Sequence, residues 1–162
     1  MKTYAVLFCC TGNICRSPTA EGMFLKKVSD AGLAGSIVAD SAGTHGYHIG
    51  EQPDPRTRAA AKARGYDLSK LRARRVRRDD FDDFDLVLAM DHENLSFLEM
   101  LCPPSNAHKL KLMMEYARKY NVREVPDPYG GGPEGFELVL EMLEDATEGL
   151  LLSILQKQSV NR

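Results

Sequence analysis

The chain is short of the features that mark several large classes of protein. Its 162 residues carry 21 lysines and arginines against 23 aspartates and glutamates, so it lacks the basic excess that nucleic acid or a membrane surface would attract. It also lacks an apolar run of the length that a membrane span requires. We therefore expect no nucleic acid and no membrane among its partners.

Cysteine is scarce, and three of the four cysteines crowd into one short segment: Cys9, Cys10, Cys15 and Cys102. Such crowding is a poor disulfide framework for a secreted fold. No C-x-x-C pair occurs and the four histidines are scattered, which disfavours structural zinc. The first residues lack the apolar core of a signal peptide, so we expect a cytoplasmic protein that needs no metal and no cofactor.

What is present is the composition of an ordinary globular protein, 43% hydrophobic and 27% charged. We find no repeat and no boundary, and predict one domain over residues 1–162. Apolar patterning predicts strands at residues 4–9, 37–40, 86–90 and 109–113, and helices at 18–31, 54–64, 91–101 and 134–156, with a short helical turn at 116–120. This alternation predicts an α/β fold with a parallel sheet and helices on both faces.

The turn after the first strand carries the strongest functional signal. It begins with Cys10 and ends with Arg16 and Ser17, and it spans Thr11, Gly12, Asn13, Ile14 and Cys15. A turn between a strand and a helix N-terminus aims backbone N–H groups at one point, and a guanidinium adds donors suited to phosphate. A thiol in that field becomes a nucleophilic thiolate. Ser17 followed by Pro18 predicts the N-cap and the first helical residue.

Three segments together resemble the low-molecular-weight protein tyrosine phosphatases. Residues 8–18 resemble the family's signature, residues 40–44 the segment after its second strand, and residues 127–130 its Asp-Pro-Tyr loop. The resemblance covers essentially the whole chain. It implies a single-domain three-layer sandwich with a four-stranded parallel sheet in the order 2-1-3-4, and hydrolysis of phosphotyrosine monoesters.

The chemistry of ester cleavage assigns three roles. We expect Cys10 to attack phosphorus and form a phosphocysteine, while Arg16 and the backbone N–H groups from Thr11 through Ser17 hold the phosphoryl oxygens. Asp127 precedes a proline and a glycine-rich stretch, and the resemblance makes it the general acid and then the base for the attacking water. Tyrosine-phosphorylated proteins are then the substrates and inorganic phosphate the product.

The resemblance also implies supporting residues. Asn13, Ser17 and Ser41 hold the turn in shape, and the Ser17 hydroxyl donates to the Cys10 sulfur. Tyr47 and Tyr129 form aromatic walls. Cys15 captures an oxidised Cys10 in a reversible disulfide. The family tends to carry a histidine at the position of Leu71, so this chain departs from the pattern of the supporting network there.

Several alternatives stay open. Ile14 favours phosphotyrosine, whereas relatives that act on phosphoarginine tend to carry threonine there. An arsenate reductase can use the same fold but needs further cysteines, and a non-catalytic phosphate-binding module needs neither the thiol nor the acid. The charged segment at residues 72–85 is either a basic docking patch or, as we favour, a solvated loop of offsetting charges. We expect a monomer or a weak homodimer.

Overall fold

Four parallel strands form one sheet in the order β2-β1-β3-β4, which confirms the predicted topology. The strands are β1 (Tyr4–Cys10), β2 (Ile37–Gly43), β3 (Leu86–Ala89) and β4 (Leu110–Leu112). The structure is a computed structural model that describes residues 3–160 of the chain. Residues 1, 2, 161 and 162 of the predicted domain lie outside the described residues.

In the described part of the chain, five α-helices connect and cover the strands: α1 (Arg16–Asp30), α2 (Pro55–Ala63), α3 (Asp80–Asp83), α4 (His92–Leu101) and α5 (Pro133–Val160). Two 3₁₀ helices flank β4, at Pro104–Lys109 and Met113–Tyr116. The helical turn predicted at residues 116–120 is therefore wrong, because that turn ends where the prediction began. The sequence analysis also missed α3 and the first 3₁₀ helix, since segments this short show no helical periodicity.

Strand alternation sends successive β1 side chains into two different cores. Val6, Phe8 and Cys10 join a cluster with residues of α1 and α5, whereas Leu7 and Cys9 join a second cluster with Phe81 of α3 and Leu98 of α4. Cys9 therefore points away from the side that Cys10 faces, as predicted. The strand ends one residue later than predicted, at Cys10, so the thiol stands at its carboxyl end.

Strand β2 is longer than predicted, because polar Asp40 and Ser41 obscure its last residues in the sequence. It pairs with β1 over seven residues, which places Ser41 beside Phe8 and Gly43 beside Cys10. A Cβ added to Gly43 would lie 2.8 Å from the Thr11 carbonyl oxygen. The absence of a side chain here lets the segment after β2 cross close to the Cys10 turn.

The charged segment at residues 72–85 is not the solvated loop of offsetting charges that we favoured. Asp80 is buried, and its carboxylate accepts two hydrogen bonds from the Arg74 guanidinium at 3.0 and 3.1 Å. Val76 and Phe81 are buried as well. The segment is thus part of the packed structure, because it runs alongside β2 and closes one side of the sheet.

No helix among residues 3–160 combines the length and the apolar character needed to span a membrane.

Candidate active site

A cavity of about 270 Å³ opens at the carboxyl ends of the strands. This is where a parallel sheet binds its ligands, because the loops that follow neighbouring strands meet there. The loops after β1, β2 and β4 all contribute, as predicted. The lining residues are Cys10, Thr11, Gly12, Ile14, Cys15, Arg16, Tyr47, His48, Asp127 and Tyr129. His48 is the one that the sequence analysis did not single out.

The Cys10 thiol lies at the base of this cavity, where helix α1 begins. Its Sγ atom is 3.0 Å from the Ser17 hydroxyl oxygen and 3.5 Å from the Ser17 backbone nitrogen, whose N–H donates to the sulfur. Helix α1 begins at Arg16, so the prediction of Ser17 as its N-cap is wrong. The Ser17 hydroxyl instead contacts the thiol. The sulfur accepts a hydrogen bond from a backbone N–H at the start of the helix, where the side chain of a cap residue would otherwise accept it.

Asn13 holds the turn in an unusual backbone conformation. Its φ is 58°, in the left-handed region that asparagine tolerates better than most residues. Its side-chain amide donates to Ser17 Oγ at 2.7 Å and to Ser41 Oγ at 2.9 Å, and its amide oxygen accepts from the Arg74 backbone N–H at 3.0 Å. The Asn13 side chain therefore ties the turn to β2 and to the arginine-rich segment.

The supporting network ends on a buried carboxyl that the sequence analysis missed. Ser41 Oγ donates to Glu21 Oε1 at 2.6 Å, and burial raises the pKa of Glu21 from its ordinary 4.5 to about 7. This network includes no side chain from position 71. Leu71 instead packs against the core that contains α1. A lone glutamate within an amphipathic helix gives no sequence signal of such a role.

Arg16 is buried beside the thiol, although arginine is among the residues least often buried. Its Nη1 donates to Asp91 Oδ2 at 2.6 Å and to the Val125 carbonyl at 3.0 Å, while its Nη2 donates to Thr11 Oγ1 at 3.4 Å. Burial opposes its charge, but the neighbouring Cys10 and Asp91 raise its pKa above the ordinary value. The guanidinium is therefore a fixed cation at the base of the cavity.

The Arg16 guanidinium can donate a further hydrogen bond beyond those just described. Among the described residues its buried Nε has no hydrogen-bond partner. A buried unpaired donor is costly unless a ligand satisfies it. Asp91, the N-cap of α4, accepts from the Asn94 backbone N–H and also anchors this arginine. The sequence held a signal for this role, since Asp91 follows a buried strand and so lies at the carboxyl edge of the sheet.

The loop that carries Asp127 follows β4 and the second 3₁₀ helix in the chain and lines the cavity. The Val125 N–H donates to the carbonyl of Met90 at 2.8 Å, and Met90 is the residue that follows β3. This hydrogen bond attaches the loop to the carboxyl end of β3. Asp127 Oδ2 lies 3.7 Å from Arg16 Nη2, and Asp127 Oδ1 accepts from the Tyr129 backbone N–H at 3.1 Å. About half of the Asp127 side chain is exposed, so it can meet a ligand that enters the cavity.

Arg56 on α2 holds this loop, and the sequence analysis missed it. Its guanidinium donates to the Tyr129 carbonyl at 2.7 Å and lies 4.7 Å from the centre of the Phe136 ring. Its Nε and Nη2 donate to the carboxylate of Asp54, which in turn caps α2. The Asp54 backbone N–H donates to the Ile14 carbonyl, so α2 bridges the Cys10 turn and the Asp127 loop.

Two tyrosines and two histidines stand around the mouth of the cavity. The ring of Tyr47 stacks on His45 with 5.1 Å between centroids, and the ring of Tyr129 lies 6.0 Å from His48. Both tyrosines are half or more exposed. Aromatic faces at the mouth of a narrow, charged cavity suit a planar ring that carries an anion on one end.

The remaining cysteines differ in position. Cys15 lines the same cavity as Cys10, and burial raises its pKa to about 12. Cys102 borders a separate cavity between α4 and β4. All four cysteines are free thiols. Within residues 3–160, no three histidine, cysteine or acidic side chains are placed together to hold a metal ion.

The parts define a class of site. A thiol lies at the N-terminus of a helix, a buried guanidinium with a free donor lies beside it, and a carboxyl faces both across a cavity. This is an anion cradle with a nucleophile at its base, on an α/β sheet, and it is the arrangement that a cysteine-dependent phosphatase requires.

Comparison with known proteins identifies the family. Residues 5–161 match the family described as low molecular weight phosphotyrosine protein phosphatase, and the chain belongs to that family. A low molecular weight protein-tyrosine-phosphatase of Streptomyces coelicolor is 48% identical over 155 residues, which cover 94% of each chain.

Solved structures show the same fold. A protein tyrosine phosphatase from Entamoeba histolytica, with Hepes in its active site, matches with a TM-score of 0.93 and 40% identity, and the match covers 96% of this chain and 99% of that one. A Bacillus subtilis protein matches with a TM-score of 0.91 and 38% identity, over 97% and 98% of the two chains.

Proposed function

We propose that this protein hydrolyses phosphotyrosine and related aryl phosphate monoesters through a phosphocysteine intermediate, without a metal. The observation that carries the proposal is the Cys10 thiol beside the Arg16 guanidinium, whose buried Nε lacks a partner in the described part of the chain. A phosphoryl group over the thiol would satisfy that donor. The relatives whose names describe phosphotyrosine phosphatases support this choice of substrate.

In the first step the Cys10 sulfur attacks phosphorus. The S–P bond forms as the bond from phosphorus to the tyrosine oxygen breaks, and Asp127 donates a proton to the departing oxygen. Arg16 and the N–H groups of residues 11–16 hold the other phosphoryl oxygens and supply the positive charge that a metal supplies elsewhere, while the Ser17 N–H donates to the sulfur. The Ser17 hydroxyl, 3.0 Å from the sulfur, stabilises the thiolate.

In the second step water attacks the phosphocysteine. Asp127 now accepts a proton from that water, the S–P bond breaks, and the sulfur leaves as a thiolate that Ser17 again stabilises. Inorganic phosphate is released. Tyr47 and Tyr129 flank the leaving ring at the mouth of the cavity and favour an aryl ester over a small alkyl ester.

The same turn supports a protective redox step. An oxidant such as peroxide would convert the Cys10 thiolate to a sulfenic acid, and the thiol of Cys15 would displace water from it to form a disulfide. Both residues line one cavity, whereas Cys102 lies elsewhere. A dithiol reductant would then restore both thiols.

The deciding experiment incubates the reduced protein, in EDTA, with a phosphotyrosine peptide and with a phosphoarginine peptide, and measures released phosphate. We expect release from phosphotyrosine alone. Preference for phosphoarginine would overturn the assignment of the substrate, and release from neither would leave a phosphate-binding module or, if arsenate is turned over with thiols, a reductase. Cys10→Ser should abolish release while Cys102→Ser, which also removes a thiol, should retain it.

A further inference from the structure

Four exposed arginines lie within seven residues of the chain: Arg72, Arg75, Arg77 and Arg78, together called the arginine stripe. The chain at residues 73–76 runs beside the segment that follows β2. Gly43 and Arg75 form an isolated parallel bridge, and the Gly50 N–H donates to the Ala73 carbonyl at 2.8 Å. The stripe is therefore fixed to both ends of the segment at residues 43–51, which carries Tyr47 and His48 into the cavity lining.

The side chain of Arg75 lies over the segment that carries Tyr47. Its Cδ atom is 3.7 Å from the position that a Cβ would occupy on Gly46, which directly precedes Tyr47 in the chain. Neighbouring residues alternate in direction. Ala73 and Val76 are buried, Arg74 turns inward to Asp40 and Asp80, and Arg75 is exposed.

Three of the adjacent aspartates are paired with groups other than the guanidinium groups of the stripe. Asp80 is held by the Arg74 guanidinium, Asp82 accepts from the Asn106 side chain at 2.8 Å, and Asp85 accepts from the Ala5 backbone N–H at 2.8 Å. Within residues 3–160, none of the four arginines of the stripe forms an ion pair with a carboxylate. Arg72 donates to the carbonyls of Ser69 and Leu71, which leaves its charge uncompensated.

We propose that the arginine stripe binds acidic side chains that flank the phosphorylated tyrosine of a substrate. This inference rests on the proposed function, and it names the substrate class more closely. A phosphotyrosine ring that enters between Tyr47 and Tyr129 leaves its own chain at the mouth of the cavity. Glutamates or aspartates a few residues away then lie within reach of Arg75 and its neighbours.

The expected effect is moderate and depends on salt. Each exposed pair contributes little, so one or two such contacts correspond to a preference of about 3- to 10-fold in kcat/KM. Charges at a protein surface are screened over about 8 Å at physiological ionic strength, so raised salt should remove most of the preference.

The test compares three substrates: an acidic phosphotyrosine peptide, the same peptide with glutamine for every acidic residue, and p-nitrophenyl phosphate. The ester is too small to reach the stripe, so each peptide rate is divided by the same variant's rate with the ester. The proteins are the wild type, Arg75→Gln, Arg75→Glu and Lys26→Gln. Lys26 is an exposed cation on α1, ten residues and so about 15 Å of helix beyond Arg16.

We expect the wild type to prefer the acidic peptide by about 3- to 10-fold. Arg75→Gln should reduce the preference, Arg75→Glu should abolish or reverse it, and Lys26→Gln should leave it in place. A wild type without preference, or an equal loss in Arg75→Gln and Lys26→Gln, would overturn the inference while the enzyme still cleaves the ester. Failure to cleave any of the three substrates would instead overturn the proposed function.

Discussion

At the scale of single residues, the two thiols of the turn, Cys10 and Cys15, differ in their contacts and burial. The Cys10 sulfur contacts the Ser17 hydroxyl and N–H and lies near a fixed guanidinium. Cys15 is buried in the cluster that includes Ile14, and its pKa of about 12 keeps it protonated at neutral pH. The surroundings of Cys10 therefore place hydrogen-bond donors and a positive charge beside its sulfur, whereas burial of Cys15 disfavours the charged form of its thiol.

Glu21 makes a residue-scale prediction about pH. Its pKa is about 7 in the folded protein and near 4.5 when exposed, so between these values the folded state holds a proton that the unfolded state has lost. The contribution of Glu21 to the free energy of unfolding is therefore fully present below pH 4.5. It is lost as the pH rises to 7, by at most about 3 kcal/mol.

Glu21→Gln keeps an oxygen that can accept from Ser41 but cannot ionise. We expect the variant to gain stability relative to the wild type between pH 5 and pH 8, measured by urea denaturation at both pH values. Glu148→Gln, which removes a carboxyl from the exposed face of α5, is the matched control. A difference between Glu21→Gln and wild type that does not change with pH would contradict the prediction.

At the scale of secondary structure elements, helix α2 links the Cys10 turn to the Asp127 loop. Its cap residue Asp54 bonds to the Cys10 turn through Ile14, and Arg56 bonds to the Asp127 loop through the Tyr129 carbonyl. The Asp54 carboxylate connects these two contacts, because it accepts hydrogen bonds from Arg56. Burial raises the pKa of Asp54, but these hydrogen bonds outweigh burial and lower it below its ordinary value. A short helix thus connects the Cys10 turn to the loop that carries Asp127.

Arg56 acts, on this view, as a positioning residue for Asp127. Arg56→Met should lower kcat/KM by about 10-fold for esters with poor leaving groups and much less for good ones, because poor leaving groups depend most on the proton. The measurement is the rate across aryl phosphates whose phenols differ in pKa. Arg56→Lys should recover part of the loss, since a lysine can still donate to a carbonyl.

Arg58 on the same helix provides the control. Its guanidinium donates to the Pro53 carbonyl rather than to the Asp127 loop. Arg58→Met should therefore leave the dependence on the leaving group as it is in the wild type. A uniform loss across all esters in Arg56→Met would show that Arg56 supports the fold and does not position the acid.

At the scale of the whole molecule, the Asp127 loop is held at both ends. Before it, the Asp145 carboxylate on α5 accepts the backbone N–H groups of residues 118, 119 and 120. After it, the chain enters α5, which packs against α1. Helix α5 thus connects the start of the loop to the helix whose N-terminus carries the thiol.

Gly149 lets α5 approach the 3₁₀ helix at Met113–Tyr116. A Cβ at this position would lie 1.9 Å from the Tyr116 carbonyl oxygen, which is backbone and cannot rotate away. Gly149→Ala should lower the free energy of unfolding by roughly 1–3 kcal/mol, although alanine favours a helix by about 1 kcal/mol. Gly135→Ala in the same helix is the control, because its Cβ would meet nothing closer than 3.7 Å.

Denaturant unfolding of both glycine variants measures the effect. We expect Gly135→Ala to match or slightly exceed the wild type in stability. Equal stability of Gly149→Ala and Gly135→Ala would mean that the close packing of α5 against Tyr116 contributes nothing, and would contradict this account.

The prediction from sequence succeeded where the pattern is local. The strand, turn and helix around Cys10 occupy consecutive residues, and alternating strands and helices indicate a parallel sheet with helices on both faces. The strand order 2-1-3-4 came from the family resemblance and not from the pattern. The prediction failed at the start of α1, because Ser17 resembles a cap but bonds to a sulfur seven residues away. It also failed for α3 and the 3₁₀ helices, which are too short to show a period.

The sequence alone therefore determined the chemistry of the cradle, since a thiol, a glycine and an arginine within one turn are set by chain order. The tertiary structure alone decided what surrounds it. Asp91 follows another strand and holds Arg16, Ser41 on β2 joins Asn13 to Glu21, and Arg56 on α2 holds the Asp127 loop. They meet there because parallel strands end at one edge of the sheet. No spacing in the chain encodes such meetings, because they depend on strand order and on how α2 and α5 pack.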